Sequence, residues 1–314
     1  MLLRLILRGV ASFLRPSRVR LGTGGSQSAR YCYGLWMRHL LKASEQGLEV
    51  NPRVVMELGP GDSLGAGLCA LLCGAERLVA LDAAPHSQLQ RNLVIFDELI
   101  ALLTQRCPIP DEQEWPRLRP RLSNHRFPSE ILTDARLRET LRPSRLEKIR
   151  RALTQPGPGD QSMISYHAPW NSSVMPADSV DWIFSQAVLE HIDDLPALYL
   201  QMARWLRPGG QMSHEIDFKC HGLTPQWNGH WSIAALSWRL IRGRRLYHLN
   251  REPLSSHLHL LVANGLSLCH LDANRVKSTL SRSQLALRFR HLSIEDLTTS
   301  EAFLLAVKEP SAPQ

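Results

Sequence analysis

The segment at residues 53–85 constrains the fold of this chain more than any other part of the sequence. It holds two apolar runs, 54–56 and 78–81, separated by a glycine-rich turn and by a run of small residues at 64–73. The apolar runs lack the alternation of a half-exposed strand, which is typical of parallel strands covered on both faces. The segment therefore predicts a strand–helix–strand unit inside a parallel sheet.

The turn of this unit has the residue types of a nucleotide-binding loop. Gly59 and Gly61 let the backbone approach a ligand closely, and Ser63 is placed to cap the following helix. Asp82 follows the second strand, where a carboxylate can accept hydrogen bonds from both hydroxyls of a ribose. A nicotinamide dinucleotide and S-adenosylmethionine both fit these features, as does a tight turn that binds no ligand. Glu57 favours S-adenosylmethionine, because a cationic methionine group needs a nearby carboxylate and a dinucleotide loop does not.

Composition and charge exclude several classes of protein. The 314 residues suffice for one large α/β domain with insertions or for two small domains. Six cysteines without a CxxC pair predict reduced thiols of a cytoplasmic protein, with neither a zinc site nor a disulfide framework. The formal net charge of +8 equals that of residues 1–44 alone, so the remaining chain sums to zero. A nucleic-acid partner is therefore not expected.

The first 14 residues form a basic amphipathic segment. The segment is too short to span a bilayer and is interrupted by Arg4 and Arg8. On a helical wheel these two arginines lie beside Arg15, and the remaining surface is apolar. Three interpretations stay open, namely peripheral membrane contact through residues 1–15, an organellar transit peptide, and a helix that packs on its own domain.

The domain prediction places a boundary at residue 48. Residues 1–48 would hold the basic helix, a flexible joint at 22–26 and a second helix, whose aromatic residues either form a lid or belong to the core: Tyr31, Tyr33 and Trp36. Residues 49–314 would form the main domain, with a helical insertion at about 98–160 and a second insertion at about 218–252.

Further strands and motifs follow in a fixed order along the chain. The predicted strands after the first two are 163–166, 180–184, 211–216, 266–276 and, as a final edge strand, 302–308. Two motifs lie beside them: Val188-Leu189-Glu190-His191 after the fourth strand, and Leu206-Arg207-Pro208-Gly209-Gly210 before the fifth. Each motif alone is weak, but their order and spacing together are specific.

With Glu57-Leu58-Gly59-Pro60-Gly61 and Asp82, these motifs make the chain resemble the class I S-adenosylmethionine-dependent methyltransferases. More narrowly, it is similar to the bacterial small-molecule methyltransferases of the type 11 group. The resemblance covers roughly residues 53–217. It implies an α/β fold with a Rossmann-like, seven-stranded, mostly parallel sheet, helices on both faces and an antiparallel final strand. It also implies that S-adenosyl-L-methionine is the cofactor, bound by nine residues: Glu57, Gly59, Gly61, Ser63, Asp82, Ala83, Trp170, Ser185 and Gln186.

The resemblance also implies a role for several of these residues. Glu57 would orient the methionine amino group, Asp82 would bind the ribose, and Ser185 and Gln186 would line the cofactor near its methyl group. Many relatives have an acidic residue after the third strand that binds the adenine amino group. This chain has Ala168-Pro169-Trp170 there, so either stacking by Trp170 or a backbone contact is expected instead.

His191 is the predicted catalytic base, because it follows the fourth strand and imidazole titrates near neutral pH. The alternative is that His191 packs or caps the next helix. Its rivals as base follow the fifth strand: His214, Glu215, Asp217 and His221. Metal-assisted relatives carry a glutamate three residues before the Glu-His pair, where this chain has Ala187, so no metal is expected.

The second insertion covers the region where such enzymes usually bind the methyl acceptor. Trp227, Trp231 and Trp238 have the spacing of one helical face, more typical of core than of a binding platform. Aromatic faces suit a sugar or a ring, and the neighbouring arginines suit phosphate or a lipid surface. The sequence thus predicts methylation, with O-methylation as one option, of a small-molecule, glycan-type or lipid-linked acceptor. The enzyme is expected to be cytoplasmic, with peripheral contact at the inner membrane face as one option. The alternatives are a non-catalytic scaffold with a cofactor fold and an NAD-binding oxidoreductase.

Overall fold

The computed structural model describes residues 2–14, 26–155, 162–245 and 248–309. Most of the predicted flexible joint at 22–26 lies outside the described residues. The helices are α1 (Leu2–Leu14), α2 (Ala29–Glu45), α3 (Gly65–Leu72), α4 (Leu89–Thr104), α5 (Asp134–Thr140), α6 (Pro143–Thr154), α7 (Leu195–Trp205), α8 (Ala235–Arg242), α9 (Leu254–Ala263) and α10 (Ile294–Thr298). The strands are β1 (Val54–Leu58), β2 (Arg77–Leu81), β3 (Ile164–His167), β4 (Val180–Gln186), β5 (Leu206–Asp217), β6 (Leu266–Arg275) and β7 (Thr299–Lys308).

The seven strands form one sheet in the order β3-β2-β1-β4-β5-β7-β6. Neighbours among β1 to β5 pair in parallel, and β7 is antiparallel to both β5 and β6. One hydrophobic cluster lies under α2, α3 and α4, and a second lies on the opposite face under α7 and α9. This architecture confirms the predicted Rossmann-like, mostly parallel sheet with an antiparallel last strand.

The prediction that the last strand lies at the sheet edge is wrong. β7 lies between β5 and β6, and its residues from Thr299 to Ala306 are all buried. β6 takes the edge, where most of its side chains are at least partly exposed. The sequence of β7 explains this placement, since Phe303-Leu304-Leu305-Ala306 is apolar without alternation, as a strand covered on both faces requires.

α2 belongs to the main core rather than to a separate lid. Ser28 caps its N-terminus by accepting a hydrogen bond from the backbone amide of Tyr31. Tyr33 and Trp36 are fully buried, and the Trp36 ring lies 5.0 Å from that of Trp182 in β4. Tyr31 is half-buried. The core alternative therefore holds for Tyr33 and Trp36, and the boundary at residue 48 does not separate α2 from the sheet.

The first insertion packs on α2 through Arg38. The buried Arg38 guanidinium donates hydrogen bonds to the carbonyls of Pro110 (2.7 Å), Pro120 (3.0 Å) and Gly34 (3.1 Å). Burial lowers the pKa of Arg38 to about 10, so the side chain keeps its charge at neutral pH. A buried charge needs such acceptors, and here they tie the irregular part of the insertion to α2.

The second insertion is a short irregular cover and not one helix. Trp231 lies in a 3₁₀ turn (Gly229–Ser232), Trp238 lies in α8, and the two belong to different hydrophobic clusters. The prediction of one helical face of tryptophans is therefore wrong, because the backbone is extended at Ile233 and Ala234. Both rings are buried, which supports the core alternative for them.

α1 packs against α8 and the turn that follows it. Gly9 and Ser12 are the buried residues of α1, and the Ser12 hydroxyl accepts a hydrogen bond of 2.8 Å from the backbone amide of Arg244. A Cβ atom at Gly9 would overlap the backbone carbonyls of Leu240 and Ile241, so glycine permits this close approach. The structure thus places α1 on its own domain, one of the three interpretations. No helix in the described part of the chain is long and apolar enough to cross a membrane.

Candidate active site

The parallel strands β1, β2, β4 and β5 end at one edge of the sheet, which is where open parallel sheets bind ligands. Five carboxylates lie at or just beyond these strand ends: Glu57, Asp82, Glu190, Glu215 and Asp217. All of them are at least half-buried, and four are less than a tenth exposed. The edge is therefore a cleft lined by acidic side chains, whose ionised forms a positively charged ligand would favour.

The glycine turn after β1 has the backbone that the sequence predicts. Gly59 and Gly61 adopt φ values of +65° and +71°, a region that side chains disfavour. The Gly59 amide donates a hydrogen bond of 2.8 Å to the carbonyl of Leu81 in β2. A Cβ atom at Gly59 would lie 2.5 Å from Cγ2 of Val188. Glycine is thus required for the backbone conformation and for contact with the loop after β4.

Asp82 closes this turn from the β2 side. Its carboxylate accepts hydrogen bonds from the backbone amides of Gly61 (3.2 Å) and Ala83 (2.7 Å). Burial raises the pKa of Asp82, although these amides oppose the shift. A carboxylate has about four lone-pair positions, so Asp82 can still accept hydrogen bonds from ribose hydroxyls. The structure therefore brings together three predicted cofactor residues, Gly61, Asp82 and Ala83.

Glu57 lies inside the cleft, beneath the N-terminal half of α3. Its side chain is 5% exposed and accepts a hydrogen bond of 3.0 Å from the Gly67 backbone amide. Burial raises the pKa of Glu57 to about 8, and the charge of Asp82 adds to the shift. An isolated buried carboxylate is costly unless a positive partner compensates it. The ammonium and sulfonium groups of S-adenosylmethionine supply such charge, so the site fits this cofactor.

Ser63 is fully buried and joins the glycine turn to the segment before α2. Its hydroxyl accepts a hydrogen bond of 3.1 Å from the backbone amide of Gly65 at the start of α3. It also donates to the carbonyl of Ser26, whose own hydroxyl accepts from the Ser63 amide. Gln27 donates to Asp62 at 2.7 Å. Sequence patterns missed this contact, because Ser26 and Gln27 belong to no motif.

Tyr31 belongs to the N-terminal helix α2. Burial and the charges of Glu215 and Glu57 raise the pKa of its hydroxyl. The ring packs edge-on against Trp115 of the first insertion, with centroids 5.3 Å apart. Of the three predicted lid aromatics, Tyr31 is the one that is not fully buried.

Ser185 and Gln186 point to opposite faces of the sheet, because they are successive residues of β4. The Ser185 hydroxyl is fully buried and lies 2.7 Å from Nδ1 of His214, on the face covered by α9. Gln186 lies on the face covered by α2, where its side chain acts on the pKa of His39. Glu57 is on that face as well, so the structure groups Gln186, and not the Ser185 side chain, with Glu57.

Trp170 does not join the other predicted cofactor residues. Its ring packs edge-on against Trp205, with centroids 5.7 Å apart. Trp205 is the last residue of α7, and β5 begins directly after it, so this contact lies toward the opposite edge of the sheet from Asp82. The predicted stacking of Trp170 on adenine therefore finds no support in its position.

His191 lies beyond the carboxyl end of β4, in a 3₁₀ turn (Leu189–His191) that follows this strand. Its ring is half-buried and lies 5.2 Å, centroid to centroid, from the ring of His221. His221 reaches it from the loop after β5, and Nε2 of His221 is 3.4 Å from Oδ2 of Asp217. Glu190 completes the group, since one ligand-type atom from each of Glu190, His191 and His221 lies within 4.8 Å of the others.

The remaining rivals for the base have other environments. His214 is fully buried, and burial lowers its pKa to about 3, so it stays neutral against Ser185. Burial and the charge of Asp217 raise the pKa of Glu215 to about 8, which makes Glu215 an acid that titrates near neutral pH. The prediction of no metal depended on Ala187, but the structure supplies a third group from His221, which spacing within the motif cannot reveal.

One protein family matches part of this sequence. The family model described as a methyltransferase domain matches residues 141–213, which run from α6 through β3 and β4 into β5. No curated protein matches the sequence.

Several solved structures are similar to the chain. Phosphoethanolamine N-methyltransferase 2 from Haemonchus contortus, in complex with S-adenosyl-L-methionine, is 14% identical, with 88% of this chain and 53% of that chain covered and a TM-score of 0.42. Geranyl diphosphate C-methyltransferase from Streptomyces coelicolor is 10% identical, with 86% and 76% covered and a TM-score of 0.41. An S-adenosylmethionine-dependent methyltransferase from Mesorhizobium loti is 14% identical, with 82% and 91% covered and a TM-score of 0.36. Likenesses this distant say nothing about what this chain methylates.

The cleft and the sheet lead to the same conclusion. Glu57 and Asp82 offer carboxylates where a cofactor with a ribose and a cationic methionine would need them. The parallel strands bring these carboxylates to one edge of the sheet, and the family match covers β3, β4 and the turn that holds His191. Residues 141–213 thus match a methyltransferase domain, and the cleft of this Rossmann-like sheet fits S-adenosyl-L-methionine as the cofactor.

Proposed function

We propose that this enzyme methylates a hydroxyl group of a small-molecule, glycan-type or lipid-linked acceptor, which binds at the ends of β4 and β5. In such a transfer the S–CH₃ bond of the cofactor breaks as the O–CH₃ bond forms, and S-adenosylhomocysteine leaves. The protein mainly aligns the two reactants and excludes water. A hydroxyl acceptor must lose its proton as it attacks the methyl group. A neutral amine can attack the methyl group first and lose its proton afterwards. Groups that promote proton loss therefore favour a hydroxyl acceptor.

The contact between His191 and His221 is the observation that supports this proposal most. Two imidazoles lie 5.2 Å apart at the acceptor side of the cleft, and Asp217 lies behind one of them. Although burial opposes it, the hydrogen bond from His221 and the charge of Lys219 lower the pKa of Asp217, so it stays ionised. An ionised carboxylate fixes the orientation of a neighbouring imidazole. The group of Glu190, His191 and His221 is thus equipped to assist loss of the hydroxyl proton.

The outer surface of α1 supports an acceptor at a lipid surface. Four exposed apolar residues follow one stripe of the helix: Leu3, Leu7, Val10 and Leu14. Arg4 and Arg8 lie exposed beside that stripe. A helix with an apolar stripe flanked by arginines binds the interface of an anionic bilayer.

α8, which packs against α1, also exposes apolar side chains. Leu236 and Leu240 of α8 are 69% and 37% exposed, and Arg239 is exposed between them. No acidic residue occurs in the sequence between Asp217 and Glu252. α1 and α8 would therefore meet one anionic membrane surface together, with the second insertion facing the lipid headgroups. A lipid-linked acceptor would then reach the cleft without leaving the membrane.

The test of the acceptor class is methyl transfer from a labelled cofactor to the lipid-soluble and water-soluble fractions of cell extract. We expect the label on an oxygen atom of a hydroxyl compound. We also expect that His191→Ala lowers kcat by roughly 100-fold or more, whereas His259→Ala, at an exposed position of α9, leaves it unchanged. A product methylated on nitrogen or carbon, or full activity in His191→Ala, would contradict the proposal.

A further inference from the structure

We propose that Glu190, His191 and His221 bind one divalent transition-metal ion of the zinc type at the acceptor side of the cleft. The use of this ion in catalysis rests on the proposed function, but its binding does not. Two imidazoles and one carboxylate are the donor set of many catalytic zinc sites, which leave a further coordination position open for water or substrate. Imidazole ligands also favour zinc, cobalt or iron over magnesium or calcium.

The geometry of the three side chains fits such an ion after a small adjustment. One ligand-type atom from each residue lies within 4.8 Å of the others. Ligands bound to zinc at tetrahedral angles are about 3.4 Å apart, so the atoms need to close by at most about 1.5 Å. His221 can make this movement, because its side chain is 36% exposed and lies in a loop.

The carboxylate of Glu190 is an independent sign that a cation belongs here. The residue is 4% exposed, and neither carboxylate oxygen accepts a hydrogen bond of normal geometry from any described residue. The backbone amides of Glu190 itself and of Asp217 lie near enough to favour the ionised carboxylate, but neither makes a hydrogen bond of normal geometry with it. Buried carboxylates in folded proteins are paired, hydrogen-bonded or bound to metal. A divalent ion would satisfy this one.

The surroundings hold the three residues in place. Asn250 clamps the turn that carries Glu190 and His191, because its side-chain amide donates to the carbonyls of Leu189 (2.7 Å) and Ile192 (3.0 Å). Its backbone amide donates to the Glu190 carbonyl at 2.8 Å. Clamping both ends of a ligand-bearing turn lowers the cost of ordering it around an ion.

His221 is positioned by two further features. Its backbone has a φ of +48°, which residues other than glycine seldom adopt, and such outliers persist where the surrounding structure enforces them. Its Nε2 atom lies 3.4 Å from Oδ2 of Asp217. A carboxylate behind a histidine ligand fixes the orientation of the ring and strengthens its binding.

An ion at this place would replace His191 as the group that promotes proton loss. The hydroxyl oxygen of the acceptor would take the open position, where the positive charge lowers its pKa and the proton passes to solvent. The oxygen then attacks the methyl group, so that the O–CH₃ bond forms and the S–CH₃ bond breaks. The ion keeps its oxidation state throughout.

The experiment is titration of the full-length, chelator-treated protein with Co²⁺, followed by its visible absorption, and with Zn²⁺ by calorimetry. We expect one equivalent of either ion to bind. His221→Ala and Glu190→Gln should each weaken binding at least 10-fold, and Asp217→Asn about 10-fold. His259→Ala, an exposed histidine of α9, is the matched control. Because Glu190 is buried, its variant is first checked by a thermal melt, and His221→Ala, which is exposed, tests the proposal alone if Glu190→Gln does not fold.

Absence of Co²⁺ and Zn²⁺ binding, or equal binding by wild type and His221→Ala, would overturn the proposal. S-Adenosylhomocysteine affinity, measured for the same metal-free variants, should not change. Ion binding without any methylated hydroxyl product would contradict the proposed function and leave the metal site standing. Methyl transfer to a hydroxyl by a protein that binds no ion would contradict the metal site and leave the proposed function standing.

Discussion

The carboxylate of Glu57 accepts a hydrogen bond of 3.0 Å from the backbone amide of Gly67, in the N-terminal half of α3. This contact holds a buried acid against the cofactor cleft. Burial and the charge of Asp82 raise the pKa of Glu57 from 4.5 to about 8, so the acid is mostly protonated at pH 7 in the protein without cofactor. The cationic methionine group of the cofactor favours its ionised form.

Cofactor affinity should therefore depend on pH. Below pH 8, binding releases the proton from Glu57, so the Kd for S-adenosylmethionine should fall about tenfold per pH unit up to about pH 8 and then level off. Calorimetry in two buffers of different ionisation enthalpy should detect about one proton released at pH 7. Glu57→Gln should weaken binding and flatten the profile. A wild-type Kd that is constant between pH 6 and 8 would show that Glu57 does not contact the cofactor.

Gly59→Ala should disrupt the glycine turn. Its φ of +65° disfavours any side chain, and the new Cβ would lie 2.5 Å from Cγ2 of Val188. We expect a loss of about 2–4 kcal/mol in the free energy of unfolding and weaker cofactor binding. Gly47→Ala is the matched control, since Gly47 has a φ of +67° with open space around it, and it should cost only about 1 kcal/mol.

A second substitution separates the two causes of this loss. Val188→Ala removes the methyl groups that would meet the new Cβ at Gly59. The double variant should therefore recover part of the stability lost in Gly59→Ala, and a thermodynamic cycle measures that coupling. Zero coupling between positions 59 and 188 would mean that the two loops do not touch.

Trp170→Ala should affect stability and not cofactor binding. The half-buried ring packs on Trp205 at the end of α7, so its removal should cost about 2 kcal/mol of unfolding free energy. Thermal unfolding and calorimetry with S-adenosylhomocysteine measure the two effects. An affinity loss above tenfold would instead favour the stacking of Trp170 on adenine.

The exposed stripe of α1 predicts binding to anionic membranes. The protein should co-sediment with vesicles of phosphatidylcholine and phosphatidylglycerol, less so at high salt, and weakly with phosphatidylcholine alone. Leu3→Asp combined with Leu7→Asp should lower the partition at least tenfold. Val262→Asp combined with Leu287→Asp is the control, because these residues are 77% and 80% exposed but lie outside α1 and α8. Equal partition of both double variants would show that the stripe does not bind lipid.

Sequence patterns predicted the strands and the glycine turn because each depends on residues close together in the chain. The apolar runs of β1 and β2 and the positive φ of Gly59 and Gly61 are local properties. β7 was misplaced at the edge because its pairing depends on which strand lies beside β5, and no local pattern specifies that.

Residues of the candidate site could be predicted from the sequence only where they lie at the end of a single buried strand. Glu57 and Asp82 follow buried strands and were found from the sequence. His221 reaches His191 only because β5 pairs with β4, and Ser185 was assigned to the cleft although its side chain points to the other face of the sheet. The wrong assignment of Ser185 follows from the two-residue period of a strand, in which neighbouring residues point to opposite faces of the sheet.

Calorimetric titration of the full-length protein with S-adenosylhomocysteine tests the central claim most directly. The account predicts one binding site per chain, and about 10- to 100-fold weaker binding in Asp82→Ala, because that change removes charge-assisted hydrogen bonds to the ribose. Asp97→Ala, at an exposed position of α4, should bind like the wild type. No binding by the intact protein, or unchanged affinity in Asp82→Ala, would contradict the account.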